Sequence, residues 1–284
     1  MPIENPIPAV RPPAAQLDPA SYRFLQEYIY RESGIVLDGD KHYLLEARLT
    51  PILRERQIGS LNDLCALLEA NGDGGLKRQV VEAMTTHETS FFRDAAQYDA
   101  LRTIVLPTLV AERRDVRKLS FWSAAASSGQ EAYSLAMMLL EMGLGGWNIE
   151  ILGTDLSTQV LARAGAGKYL QIEVNRGLPV AYLVKYFMRV GLDWQLKDEV
   201  RRMVRFAPLD LRQSLRSLGP FDIVFCRNVL IYFDVESKRK ILAELRETLT
   251  PGGYLLLGGT ETTLNLDARF ERKTVGPAVF YQVP

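Results

Sequence analysis

Residues that bind metals or carry redox chemistry are scarce in this 284-residue chain, which has two cysteines and two histidines. Cys65 and Cys226 lie far apart, and with His42 and His87 they make no spacing that holds zinc or iron, so no metal site is expected. Two unpaired thiols fit the reducing environment of a cytoplasm. Net charge is absent too: Lys plus Arg equals Asp plus Glu at 34 each, without the basic excess that a nucleic acid or an anionic membrane would call for. No segment approaches the roughly 18 apolar residues of a membrane span, and the N-terminus has no signal-peptide core. A cytoplasmic protein is expected, with no membrane insertion and no nucleic-acid partner; nothing calls for an oligomer, so a monomer is expected. A G-x-x-x-x-G-K-[ST] loop is missing, which disfavours an NTPase. What is present is 47% hydrophobic residues, ample for a packed core, with no internal repeat.

Six prolines fall in residues 1–20, which read as an extended or disordered leader. Residues 21–83 carry helical periodicity in four runs, beginning at Ser21, Lys41, Ser60 and Leu76, and read as a small helical domain. Pro51 inside the second run predicts a kink or a break. Residues 84–118 read as a linker and connecting helix. From 119 to 284, short apolar runs (119–125, 149–155, 203–210, 221–228, 252–259 and 278–283) alternate with amphipathic runs (131–142, 157–167 and 236–249). That alternation specifies a doubly wound, Rossmann-like α/β sheet. The stretch before the last strand leaves little room for a crossover helix, so that strand is expected to be antiparallel.

A doubly wound sheet binds ligands beyond the carboxyl ends of its strands, where the strand order reverses, and its first strand-to-helix turn makes the closest backbone approach. Here that turn carries Ala125, Ser127 and Gly129 at every second position. Small residues there serve a ligand or close helix–strand packing, and the stretch alone does not choose. Asp155 ends the next strand, where a carboxylate can accept from both ribose hydroxyls or cap the following helix. Asp210 ends another, placed to accept from the exocyclic amine of an adenine beside Leu211. The turn and the two acids together favour an adenosine-bearing ligand. The following strand ends in Arg227-Asn228, with Tyr232 beyond, so polar groups and a ring are offered where a reacting substrate would lie. This arrangement suits S-adenosylmethionine better than a dinucleotide.

The stretches "MTTHETSFFRD" (84–94), "WSAAASSGQEAYSLAM" (122–137), "GTDLS" (153–157) and "FDIVFCRNVLIYFD" (221–234) together resemble the bacterial chemotaxis receptor (protein-glutamate) O-methyltransferase family. The resemblance covers about residues 20 to 284. It implies a class I methyltransferase domain preceded by an all-α domain and carrying a small antiparallel β insertion, here about 188–206. It also implies methyl transfer from S-adenosylmethionine to glutamates on the cytoplasmic helical bundle of chemoreceptors, releasing S-adenosylhomocysteine. The family's N-x-T-x-x-x-R motif, which contacts the cofactor, corresponds to His87, Thr89 and Arg93, with His87 in place of asparagine. Its G-E/Q-E-P-Y-S turn corresponds to Gly129, Gln130, Glu131, Ala132, Tyr133 and Ser134; the resemblance makes Glu131 a ligand for the methionyl ammonium. Asp155 matches the ribose acid, Asp210-Leu211 matches an Asn-Leu position at the adenine, and Arg227-Asn228 match unchanged. A late G-H-S-E motif reads Gly258, Gly259, Thr260 and Glu261. Arg93 can hold the cofactor's carboxylate, steer the substrate glutamate, or form a surface salt bridge to Asp94 or a neighbour; Tyr232 is either a wall of the transfer cavity or a core aromatic.

In the family, a basic face of the second N-terminal helix docks on the acidic receptor bundle, and Arg48, Arg54 and Arg56 are the candidates here. Residues 189–206 lack the paired glycines of members that capture a receptor's C-terminal pentapeptide, so an enzyme independent of that peptide is expected. Two alternatives remain open at this level. One is an S-adenosylmethionine-binding sensor or adaptor with weak catalysis, consistent with His87, Ala132 and Gly259. The other is a methyltransferase for a different substrate, although "RNVLIY" lacks the prolines of an Asn-Pro-Pro-Tyr-like motif.

Overall fold

In the computed structural model, which describes residues 17–37, 39, 41–70 and 73–284, the first helix starts at Asp18. Its carboxylate accepts from the backbone N–H groups of Ala20 and Ser21 at 2.9 Å, satisfying donors that a helix end leaves unpaired. Helix α1 therefore runs Pro19–Ser33, with proline in the first turn, where its missing N–H is not needed. The expected leader lies outside the described residues as far as residue 16. Its last four residues are structured instead, with Leu17 buried.

Three more helices follow: α2 (His42–Arg56), α3 (Leu61–Glu69) and α4 (Gly74–Met84). Each buries an apolar stripe at helical spacing: Leu45, Leu49 and Ile52; Leu61, Leu64, Cys65 and Leu68; Leu76, Val80 and Met84. No break occurs at Pro51. The helix runs through it because Pro51 and Ala47, whose carbonyl loses its helical partner, are both exposed, so water can serve that carbonyl.

The chain divides into two compact units. One holds these helices up to Met84, without Ser33–Val36; the other holds Ser33–Val36 together with Thr85–Pro284. In the second unit, α5 (Ala95–Ala100) continues through a π-helical stretch, Leu101–Val105, into α6 (Leu106–Glu112). Ten strands follow: β1 (Lys118–Ala124), β2 (Asn148–Asp155), β3 (Lys168–Tyr169), β4 (Phe187–Val190), β5 (Asp193–Leu196), β6 (Val204–Pro208), β7 (Phe221–Cys226), β8 (Leu249–Leu257), β9 (Glu271–Val275) and β10 (Ala278–Gln282). Between them lie α7 (Gln130–Glu141), α8 (Thr158–Ala166), α9 (Gln171–Val174), α10 (Val180–Tyr186), α11 (Asp198–Arg201) and α12 (Val235–Glu247).

The main sheet has the order β6-β2-β1-β7-β8-β10-β9, parallel from β6 to β8. Strand order reverses between β1 and β7, which makes their carboxyl ends the place for a ligand. Side chains alternate between the two faces, as a period of two requires. Phe121, Ile223, Phe225 and Leu256 enter one core; Trp122, Val224, Leu255 and Leu257 enter the other. Both faces are therefore covered, as in parallel sheets generally.

The last strand, β10, runs antiparallel to β8 as expected, and a further strand that the sequence did not announce, β9, pairs antiparallel with β10 at the edge. Its residues, "ERKTV", are charged and largely exposed, so they carry no apolar alternation. The β insertion is the sheet β3-β5-β4, which begins at Lys168, well before 188; residues 204–206 belong instead to β6 of the main sheet. A two-residue strand is too short to leave a periodic signal.

Candidate functional site

The hand-over from β1 to α7 is built from alternating left-handed residues: Ala125 at φ 64°, Ser127 at φ 51° and Gly129 at φ 91°. A side chain in that region costs on the order of 1 kcal/mol, so small residues limit the strain while long-range bonds hold it. Ala126 N–H donates to the Thr154 carbonyl at 2.8 Å, and Ser127 N–H donates to Asp155 Oδ2 at 2.9 Å. The turn is thereby tied to the end of β2. Gly129 answers to packing, since a Cβ there would lie 3.0 Å from Ala164 Cβ and 3.1 Å from the Phe206 and Tyr133 rings. Gln130 is buried with Oε1 accepting from the Ser128 hydroxyl at 2.9 Å. Gly129 and Gln130 are not among the residues that line the cleft described below.

The acids take both local partners and partners distant in sequence. Asp155 is 7% exposed; Oδ2 accepts from Ser127 and Oδ1 from Ser157 N–H at 3.0 Å, leaving further lone pairs on both oxygens. Glu131 accepts from the Ser123 hydroxyl at 2.7 Å and from Arg227 Nη1 at 2.9 Å. Arg227 also donates through Nη2 to Asp94 Oδ2 at 2.6 Å and to the Arg93 carbonyl at 2.7 Å. The alternative pairing of Arg93 with Asp94 is therefore not made: Asp94 is held by Arg227, and Arg93 Nη1 donates to the Glu88 carbonyl at 3.0 Å. Asp210 is gripped by Arg212, which donates through Nε to Oδ1 at 3.0 Å and through Nη2 to Oδ2 at 2.6 Å.

The linker runs along the same floor. The His87 carbonyl accepts from the Ser127 hydroxyl at 2.9 Å, and its Nε2 lies 2.6 Å from Thr85 Oγ1. Tyr232 stands in a short 3-10 turn, Leu230–Tyr232, and its carbonyl accepts from Val36 N–H at 2.9 Å. These groups converge on one cleft. It brings together His87, Thr89, Arg93, Ala125, Glu131, Asp155, Asp210, Leu211, Arg227, Asn228 and Tyr232.

Sequence reasoning missed four contributors. Ser33 and Ile35, at the end of α1, line the cleft although they were read with the helical domain. Arg212 was unremarked beside Asp210. Glu261 holds the β7 loop: its carboxylate accepts from the N–H groups of Asn228 and Gly258 at 2.7 Å, Val229 at 3.0 Å and Ile231 at 3.3 Å. The glutamate of the G-G-T-E stretch was the available signal. Among the described residues no cluster of His, Cys, Asp or Glu could hold a metal ion.

The cleft fits S-adenosylmethionine by its donor set. Asp155 retains acceptor capacity for two hydroxyls, Glu131 presents a carboxylate to an ammonium, Arg93 presents a guanidinium that a carboxylate can accept from, and Leu156, Leu209 and Leu211 supply apolar walls for a base. Residues 87–277 match the family described as "CheR methyltransferase, SAM binding domain", and residues 20–85 match "CheR methyltransferase, all-alpha domain". Chemotaxis protein methyltransferase 1 of Pseudomonas aeruginosa is 40% identical over 269 residues, covering 93% of this chain and 97% of that one. Chemotaxis protein methyltransferase Cher2 of Pseudomonas putida is 39% identical, with 90% and 94% covered. A chemotaxis protein methyltransferase of Vibrio parahaemolyticus is 38% identical, with 95% and 99% covered.

Proposed function

From the premise that this chain belongs to the CheR methyltransferase family, we propose that it methylates glutamate side chains of chemoreceptors, giving methyl esters and S-adenosylhomocysteine. The observation that carries this reading is the cleft at the β1–β7 switch point, which Glu131, Asp155 and Arg93 line together. Asp155 takes the ribose hydroxyls on the lone pairs that Ser127 and Ser157 leave. Leu211 and Leu156 flank the adenine, and Asp210, steadied by Arg212, accepts from its amine. Glu131 takes the methionyl ammonium beside Ala125. Arg93, with Thr89 and His87 on the same linker, serves the methionyl carboxylate. Arg227 and Asn228 close the inner wall, and Tyr232 faces the transferring group.

When bound, S-adenosylmethionine supplies an electrophilic methyl on sulfonium sulfur. The substrate carboxylate, with a reference pKa of about 4.3, is already ionised near neutral pH, so its oxygen attacks with no proton to remove. A C–O bond forms as the C–S bond breaks, and the negative and positive charges cancel. The chain's residues have to align the two partners and exclude water from charges that are being lost.

The receptor bundle is met by the basic side of α2. Arg56 pairs with Asp73 at 2.9 Å and Arg48 Nη1 donates to the Met84 carbonyl at 2.6 Å, so exposed Arg54 carries the outward charge. The short β4–β5 connection, Gly191-Leu192, supports action without a receptor tail peptide. No helix among the described residues is long and apolar enough to cross a membrane, which suits an enzyme that reaches its substrate from the cytoplasm.

Transfer of radiolabelled methyl to receptor-rich membranes tests the reaction; absence of base-labile label on receptors overturns it. Calorimetric titration with S-adenosylhomocysteine tests the site. Asp155→Ala and Arg93→Ala are each expected to weaken binding at least about fivefold, the scale of one lost charge-assisted hydrogen bond. Unchanged affinity in both would refute the assignment.

A further inference from the structure

We propose that Glu261, which does not line the cofactor cleft, sets the geometry of the loop that forms the cleft's inner wall; the inference rests on the function proposed above. β7 ends at Cys226, and the next six residues include Arg227, Asn228 and Tyr232. This stretch is irregular: Asn228 is left-handed at φ 58°, and Val229 follows at φ −126° and ψ −36°. The N–H groups of Asn228, Val229 and Ile231 consequently turn to one side, where no strand can pair them. Successive amides arranged this way form a concavity that binds anions.

Here the anion is the chain's own carboxylate. Glu261 Oε2 accepts from Asn228 and Gly258, and Oε1 accepts from Val229 and Ile231. Four donors on two oxygens use a carboxylate's acceptor capacity, and bonds to a charged acceptor are the stronger kind. An amide in the same place would turn an NH₂ group toward N–H donors. Gly258 permits the approach, since a Cβ there would lie 2.6 Å from Asn228 Nδ2 and 2.8 Å from Glu261 Oε2.

The consequence reaches the chemistry through the loop's side chains. Arg227, at one end, holds Glu131 and the Arg93 carbonyl; Tyr232, at the other, faces the cleft. Glu261 is thus a positioning residue that acts through both ends. Glu261 also lines a second opening, together with Asp94, Gln97 and Thr260.

The test compares Glu261→Gln, Glu261→Asp and Glu261→Ala in the full-length protein, reading methyl transfer, S-adenosylhomocysteine affinity and thermal midpoint. Glu261→Gln is expected to lower kcat per folded molecule at least about tenfold, as a misplaced catalytic wall does, with a smaller loss of affinity. Glu261→Asp, which keeps the charge, is expected to retain more activity than Glu261→Gln. Acetate, a small carboxylate able to refill the concavity, is expected to raise the rate of Glu261→Ala and leave the unsubstituted protein unchanged. Wild-type kcat and affinity in folded Glu261→Gln would overturn the proposal, and so would glutamine outperforming aspartate. If Glu261→Ala does not fold, the Gln–Asp comparison decides. If the unsubstituted protein methylates no receptor, the functional reading fails on its own, and the affinities of the three variants still judge the loop.

Discussion

Arg227 is charged with 2% of its side chain exposed, and its surroundings explain how. Burial pulls its pKa down, but the charges of Glu131 and Asp94 and the hydrogen bond to Glu131 outweigh that and raise it. An exposed ion pair contributes about 0–1 kcal/mol, whereas removing one partner of a buried pair costs about 3–5 kcal/mol because the other charge is stranded. Glu131, 13% exposed, would be so stranded. Arg227→Met is therefore expected to lower unfolding free energy by about 3 kcal/mol and to weaken S-adenosylhomocysteine binding, checked by urea denaturation and calorimetry. A change under 1 kcal/mol would place Arg227 among the surface pairs. Asp267 offers a pH test. Burial raises its carboxyl, but hydrogen bonds from Arg269 and the charges of Arg269 and Arg246 prevail and hold it below the ordinary 3.8. Because the folded pKa is the lower one, the stabilisation is complete above 3.8 and is lost as pH falls through the folded value. The stability gap between the unsubstituted protein and Asp267→Asn should be full at pH 7 and should close as pH falls below 3.8; a gap that persists at low pH would show another origin.

At the scale of elements, the readable segments were those with enough buried apolar residues to leave a pattern. α12 buries one stripe, α7 is buried almost throughout, and β1, β2 and β7 are short stretches rich in buried apolar residues, so type and position were evident within a residue or two. β9 escaped because a charged edge strand has no buried face, and β3 escaped because it is two residues long. Of the kink or break expected at Pro51, the break does not occur: a missing N–H breaks a helix where the orphaned carbonyl is buried, and here it is exposed. That position gives a clear outcome. Pro51→Ala restores the bond to Ala47 and removes a residue disfavoured in helix interiors by about 3 kcal/mol, so a gain of about 1–3 kcal/mol is expected, measured by chemical denaturation. A loss would show that α2 depends on proline.

For the whole molecule, docking on an acidic receptor bundle would be steered by charge that α2 presents. Arg54→Glu is expected to slow receptor methylation several-fold and to flatten its dependence on ionic strength, with S-adenosylhomocysteine affinity unchanged. An unchanged rate would move the docking surface elsewhere. By itself the sequence determined the α/β alternation, the small-residue turn and the strand-end acids, because these depend on the chemistry of neighbours along the chain. Asp210 and Asp155 each take one partner two residues on, but the long-range partners around the cleft were settled by tertiary structure alone. Arg227 reaches Glu131 across 96 residues and Asp94 across 133, and Glu261 reaches Asn228 across 33. Ser33 and Ile35 join the cleft from the end of a helix that belongs mostly to the other unit. No local pattern encodes such pairings: a carboxylate bonds whichever donors the sheet's strand order brings within about 3 Å, and strand order is a property of the folded chain.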